Sequence, residues 1–141
     1  MARTRGRTQA TLPPHRLILD RGAVIALARQ DQRARAVLTA AWEAGVEVAV
    51  PSLVVAETTR GSARDAGVNR VLHAVGEVTA ADEATGRLAG SLLGAAGSIG
   101  TVDAIVVASA IAMGGGVVLT GDADDLRALA SRHPEVVVQP L

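Results

Sequence analysis

The stretch that most constrains this chain is Val117 to Leu126, VVLTGDADDL. A short aliphatic, β-branched run suits a buried parallel strand. Gly121 breaks it at once into a segment carrying Asp122, Asp124 and Asp125 before an apolar helical pattern resumes. Carboxylates therefore gather where a strand ends and a helix begins, the edge at which open α/β sheets bind ligands. Three other acids fall at comparable places: Asp20, Glu57 and Asp103.

The rest of the chain alternates in the same way. Met1 to His15 carries Arg3, Arg5 and Arg7 with a Pro13-Pro14 pair and almost nothing to bury, so residues 1–15 are expected to be a disordered basic arm, either touching RNA phosphates or passive. Arg16 to Leu19 reads as a first strand ending at Asp20, and Gly22 to Ala28 as a short buried helix. A second helix opens at Asp31 and runs through Trp42 to a capping Gly45, with Trp42 expected as a core or interface anchor. Val46 to Val50 is the second strand. Pro51-Ser52 then opens a helix in which Leu53 and Glu57, four apart, share a face. A Glu on an inward stripe demands a partner. Gly61 to Gly76 is weaker, with Asp65 and Asn69 as caps and His73 on a helix, and Val75 to Val78 adds a third strand.

Asp82 to Ala96 is helical, and Gly94, Gly97 and Gly100 loosen the chain into a loop. They follow no strand and lack the dinucleotide spacing, which excludes a Rossmann phosphate loop. Thr101 to Met113 is the most apolar helix, with Thr101 as its cap and Asp103 in its first turn. Val117 to Leu119 is a strand, Asp122 to Arg132 a final helix and Val136 to Val138 an edge strand. Strands alternating with helices imply a three-layer α/β/α sandwich with a mainly parallel central sheet, one domain spanning residues 16–141.

Composition narrows the chemistry. The chain has 141 residues and no cysteine, which removes thiolate nucleophiles and Cys-type zinc sites and fits a reducing cytoplasm. No run approaches a membrane span, and the Arg-rich start lacks the apolar region of a signal peptide. With no Phe or Tyr and one Trp, any nucleic acid would be held by charge and not by stacking. Every basic residue is Arg, fourteen against fourteen acids. Setting aside Asp20, Glu57, Asp103, Asp122 and Asp125 as one site leaves a net basic surface, suited to a polyanion approaching a cation-filled pocket.

Singly, each acid has a structural reading: Asp20 as a helix cap, Asp103 as a dipole partner, Asp122 and Asp125 as a D-x-x-D capping box. One pocket explains all of them together. Carboxylates converging to about 4 Å repel by roughly 4 kcal/mol per pair at an effective dielectric of 20, so such a cluster must be protonated or filled by cations. Oxygen-only ligands select hard ions, Mg2+ or Mn2+, which can activate water against a phosphodiester. A phospho-receiver domain would need a lysine, which is absent. A haloacid-dehalogenase-like phosphatase would need an Asp where Gly22 stands. The three histidines have no partners for a histidine-based ribonuclease, and no serine elbow occurs.

In the order and spacing of LILDRGAVIALA, VPSLVVAET, TVDAIVVASA and VLTGDADDL, the sequence resembles the PIN-domain family, and specifically VapC-type toxins of toxin-antitoxin pairs, from about Leu17 to Leu141. The resemblance implies a PIN-like fold and assigns the metal-binding acids to Asp20, Glu57, Asp103 and Asp122. Asp125 matches an auxiliary acid and Thr120 a frequent hydroxyl. It implies a Mg2+- or Mn2+-dependent endoribonuclease acting on RNA, neutralised by a small antitoxin whose helix lies in a groove and whose Arg enters the acid site, and it implies a homodimer. Arg21-Gly22 departs from the small hydroxylated residue frequent after the first acid, and the basic arm lies outside the shared pattern. The alternative is a catalytically weak PIN domain that binds RNA or protein.

Overall fold

A computed structural model describes residues 16–97 and 99–141; the arm expected over residues 1–15 lies outside them. In chain order the elements are β1 (Arg16–Leu19), α1 (Arg21–Ala28), α2 (Gln32–Glu43), β2 (Glu47–Pro51), α3 (Ser52–Thr58), a 3-10 turn (Ala63–Asp65), α4 (Ala66–Val75), β3 (Val78–Thr79), α5 (Glu83–Ala96), α6 (Thr101–Ala112), β4 (Gly116–Thr120), α7 (Ala123–Leu129) and β5 (Val136–Pro140).

The five strands form one sheet in the order β3-β2-β1-β4-β5, and every pairing is parallel. The central strands are continuous runs of Leu, Ile and Val because both faces of a parallel sheet are covered. Leu17, Ile18 and Leu19 are buried with Val48 and Val50 on one neighbour and Val118 and Leu119 on the other. From β1 the chain steps outward to β2 and β3, then returns past β1 to β4 and β5. Right-handed crossovers therefore put α1 to α4 on one face and α5 to α7 on the other. The direction reverses between β1 and β4, and the crevice beyond their carboxyl ends is the ligand site of such sheets. Asp20 and Asp122 lie just beyond those two ends.

α6 is apolar all round because it has no solvent face along its middle: every residue from Ala104 to Ala110 is buried. Its one carboxylate, Asp103, is at the end that meets the sheet edge. The turn after α6 is built from glycine for a steric reason. Gly115 has φ +102°, and a Cβ there would lie 2.5 Å from the carbonyl oxygen of Glu135.

Several local expectations are corrected. β3 is only Val78–Thr79, because Val75 still belongs to α4. Thr101 is the first residue of α6 and not its cap; Gly100 holds the cap position. Asn69 is inside α4, and Asp65, at the cap position, turns its side chain back onto the preceding loop instead of capping. α7 stops at Leu129, short of Arg132. Trp42 is 46% exposed, so it is not a core residue. By contrast Asp31 and Asp82 cap α2 and α5 through the amides of Ala34 and Thr85, at 2.9 and 2.8 Å.

Candidate active site

Asp20 leaves β1 as the N-cap of α1, so one side chain does two jobs. Its Oδ1 accepts from the amide of Ala23 at 3.0 Å, and its Oδ2 accepts from the hydroxyl of Thr120 across the sheet. The same Thr120 oxygen accepts from the amide of Asp122 at 2.7 Å. A fully buried hydroxyl at the end of β4 thus ties the acid after β1 to the acid after β4. Burial pushes the Asp20 carboxyl above its usual value, the hydrogen bonds from Thr120, Ala23 and Gly121 pull it back, and the charge of Asp122 adds to the rise.

Glu57 comes from the last turn of α3, which follows the Pro51-Ser52 bend out of β2. The end of that helix is pinned closely. The hydroxyls of Thr58 and Thr59 donate back to the carbonyls of Val54 and Val55 at 2.9 and 2.8 Å. Asp65 receives the amides of Arg60 and Gly61 at 3.0 and 2.7 Å, and the Arg60 amide in particular holds its carboxyl below the usual range.

Asp103, in the first turn of α6, is half-buried, and its carboxyl is pushed up to about 6. Burial is the largest cause. The charges of Asp122, Asp20, Glu57 and Asp125 follow in that order. Four acids from three other parts of the chain therefore act on Asp103 across one space. Asp20, Glu57, Asp103 and Asp122 line a single cavity of about 470 Å³, together with Arg21, Gly22, Ile25, Gly100, Thr101, Val102 and Gly121. Asp125 is close enough to act on Asp103 but is not part of the cavity wall. Asp124 is exposed and faces Arg127 at 3.9 Å.

Gly22 lets the start of α1 lie against the β4–α7 turn at the cavity wall. A Cβ on Gly22 would come within 2.9 Å of the amide nitrogen of Gly121, so α1 can approach the β4–α7 turn this closely only with glycine there. Sequence reading set Gly22 aside as a departure from the family pattern; the close approach is invisible without the packing. Ile25 and Thr101 are further lining residues the sequence did not single out. Ile25 falls four residues after Arg21, on the same face of α1, which is the signal that could have found it.

The donor set is oxygen only, and no basic side chain is paired with any of the four acids among the described residues. Among those residues no three acids approach closely enough to grip one ion as they stand. They ring an open cavity, which suits a hard ion that retains several of its own waters.

A family model described as PIN domain matches residues 17–131. The chain belongs to the PIN domain family. No curated protein matches it. Among solved structures it is similar to VapBC2 from Rickettsia felis bound to a promoter DNA fragment (TM-score 0.70, 15% identity, covering 89% of this chain and 98% of that one). It is similar also to a toxin-antitoxin complex from Klebsiella pneumoniae (0.66, 18%, 86% and 95%). A third is DNA-bound VapBC from Salmonella typhimurium (0.60, 18%, 89% and 97%). At these identities what is shared is the fold.

Proposed function

We propose that the protein is a divalent-metal-dependent endoribonuclease and the toxin of a toxin-antitoxin pair. The observation that carries this reading is the cavity itself: four carboxylates from distant parts of the chain face one space, and among the described residues no arginine is paired to any of them. Asp20, Glu57, Asp103 and Asp122 would hold Mg2+ or Mn2+, with Asp125 assisting from one turn along α7. The bound ion would supply an acidified water and a counter-charge for a phosphoryl group under in-line attack. The chain's own part is positional. Thr120 and Ala23 fix the Asp20 carboxylate, the anchored end of α3 presents Glu57, and α6 brings Asp103 to the rim from the other face of the sheet.

RNA is the substrate proposed, on the family membership and on the Arg excess left once the site acids are set aside. The similar structures are toxin-antitoxin complexes, which supports a small antitoxin as partner, and a homodimer with exposed Trp42 as an interface anchor fits the same reading. No single helix among the described residues is long and apolar enough to cross a membrane, in keeping with work in the cytoplasm. The open spacing of the acids favours a second reading, a domain that grips RNA or protein without cutting.

Incubating purified protein with total RNA separates the two. Cleavage that requires Mg2+ or Mn2+, stops with EDTA and is lost in Asp103→Asn with the fold intact supports the nuclease. Cleavage that survives EDTA, or binding with no cleavage, contradicts it.

A further inference from the structure

Arg21 follows Asp20 directly and is the first residue of α1. Among the described residues it is the one basic side chain that lines the cavity. It is exposed, and among the described residues it forms no ion pair although four carboxylates share its cavity. The influences that dominate Asp103 are burial and its acidic neighbours, not this guanidinium. The acids' charge is therefore left for another cation, and the guanidinium is left for another anion.

We infer that Arg21 grips the phosphate of the substrate, its planar fork on the non-bridging oxygens. This rests on the nuclease reading above. In-line attack adds negative charge to those oxygens, and a bidentate guanidinium matches two of them where an ammonium would meet one. The position is fixed by its surroundings. Gly22 packs against Gly121, which locks the start of α1 to the loop carrying Asp122. Ile25, one turn further along the same face of α1, lines the same cavity. Its place at the start of α1 thus sets Arg21 on the wall of the cavity that the four acids line.

The test compares wild type, Arg21→Gln and Arg21→Lys on an oligoribonucleotide with Mn2+ at several salt concentrations, beside calorimetric Mn2+ titration. Arg21→Gln should keep its fold by circular dichroism, lower kcat/KM about 100-fold, and reduce the salt slope of RNA binding by about 0.7, one phosphate contact on a single strand. Its Mn2+ affinity should stay the same or rise. Arg21→Lys should restore the salt slope but only part of the rate. Arg21→Gln cleaving as fast as wild type, or losing Mn2+ affinity in step with rate, overturns the assignment. Wild type that cuts no RNA overturns the nuclease reading and this inference with it, whereas wild type that cuts beside an unimpaired Arg21→Gln overturns only the role of Arg21.

Discussion

Thr120 is the residue on which the site's geometry turns. Its buried hydroxyl donates to Asp20 and accepts from the amide of Asp122, so replacing it with the isosteric Val leaves both partners unsatisfied in place. Thr120→Val should destabilise the fold by about 1–3 kcal/mol, read from denaturant midpoints at an unchanged m-value. A shift below measurement would mean that the bond is replaced by water. Asp103 makes a second prediction. Its folded-state carboxyl, at about 6, binds a proton that the unfolded chain releases near its ordinary value, so the metal-free protein loses stability as pH rises between about 4 and 6 and levels off above. Asp103→Asn should flatten that slope in thermal melts across the window; an unchanged slope would show that Asp103 is not the strained acid. The four cavity acids were readable from sequence because each stands where a periodic pattern breaks or, like Glu57, where an acid sits on an inward stripe. Asp125 stood apart from Asp124 only by its three-residue spacing from Asp122 and by the family resemblance; in the fold Asp125 acts on Asp103 while Asp124 faces Arg127.

At the scale of elements, the close contact between the start of α1 and the β4–α7 turn decides whether Asp20 and Asp122 share a cavity. A methyl at Gly22 would meet the Gly121 backbone, not a flexible side chain, so the turn must give way. Gly22→Ala should cost about 1–3 kcal/mol in stability and weaken divalent-cation affinity by moving Asp122; equal stability and affinity would mean that the contact is slack. The helices whose first turn is closed by an Asp side chain were readable because a side-chain cap is a local event, as at Asp31 and Asp82. Those that begin or end by tertiary contact were not. α6 has Gly100 at its cap position and so no side-chain cap, α7 stops three residues early, and β3 shrinks to two residues that pair with the end of β2.

For the whole molecule, alternating strands and helices made the parallel sheet legible, yet the order β3-β2-β1-β4-β5 is a non-local property that periodicity does not carry. That order creates the reversal between β1 and β4, and the reversal explains why acids separated by about a hundred residues, Asp20 and Asp122, end beside one another. Of the two roles the sequence leaves open for Trp42, core or interface anchor, the fold removes the first for a related reason: this core closes with Val, Leu, Ile and Ala and leaves the indole 46% exposed. The account's central claim is that the convergence of these acids makes a seat for a hard cation. Calorimetric titration of Mn2+ into the metal-free protein at pH 7 tests it most directly. Wild type should bind with an affinity that falls as pH drops below about 6, and Asp20→Asn and Asp103→Asn should each lose that binding while melting cooperatively. Mn2+ that binds neither protein, or binds the variants as well as wild type, would contradict the claim.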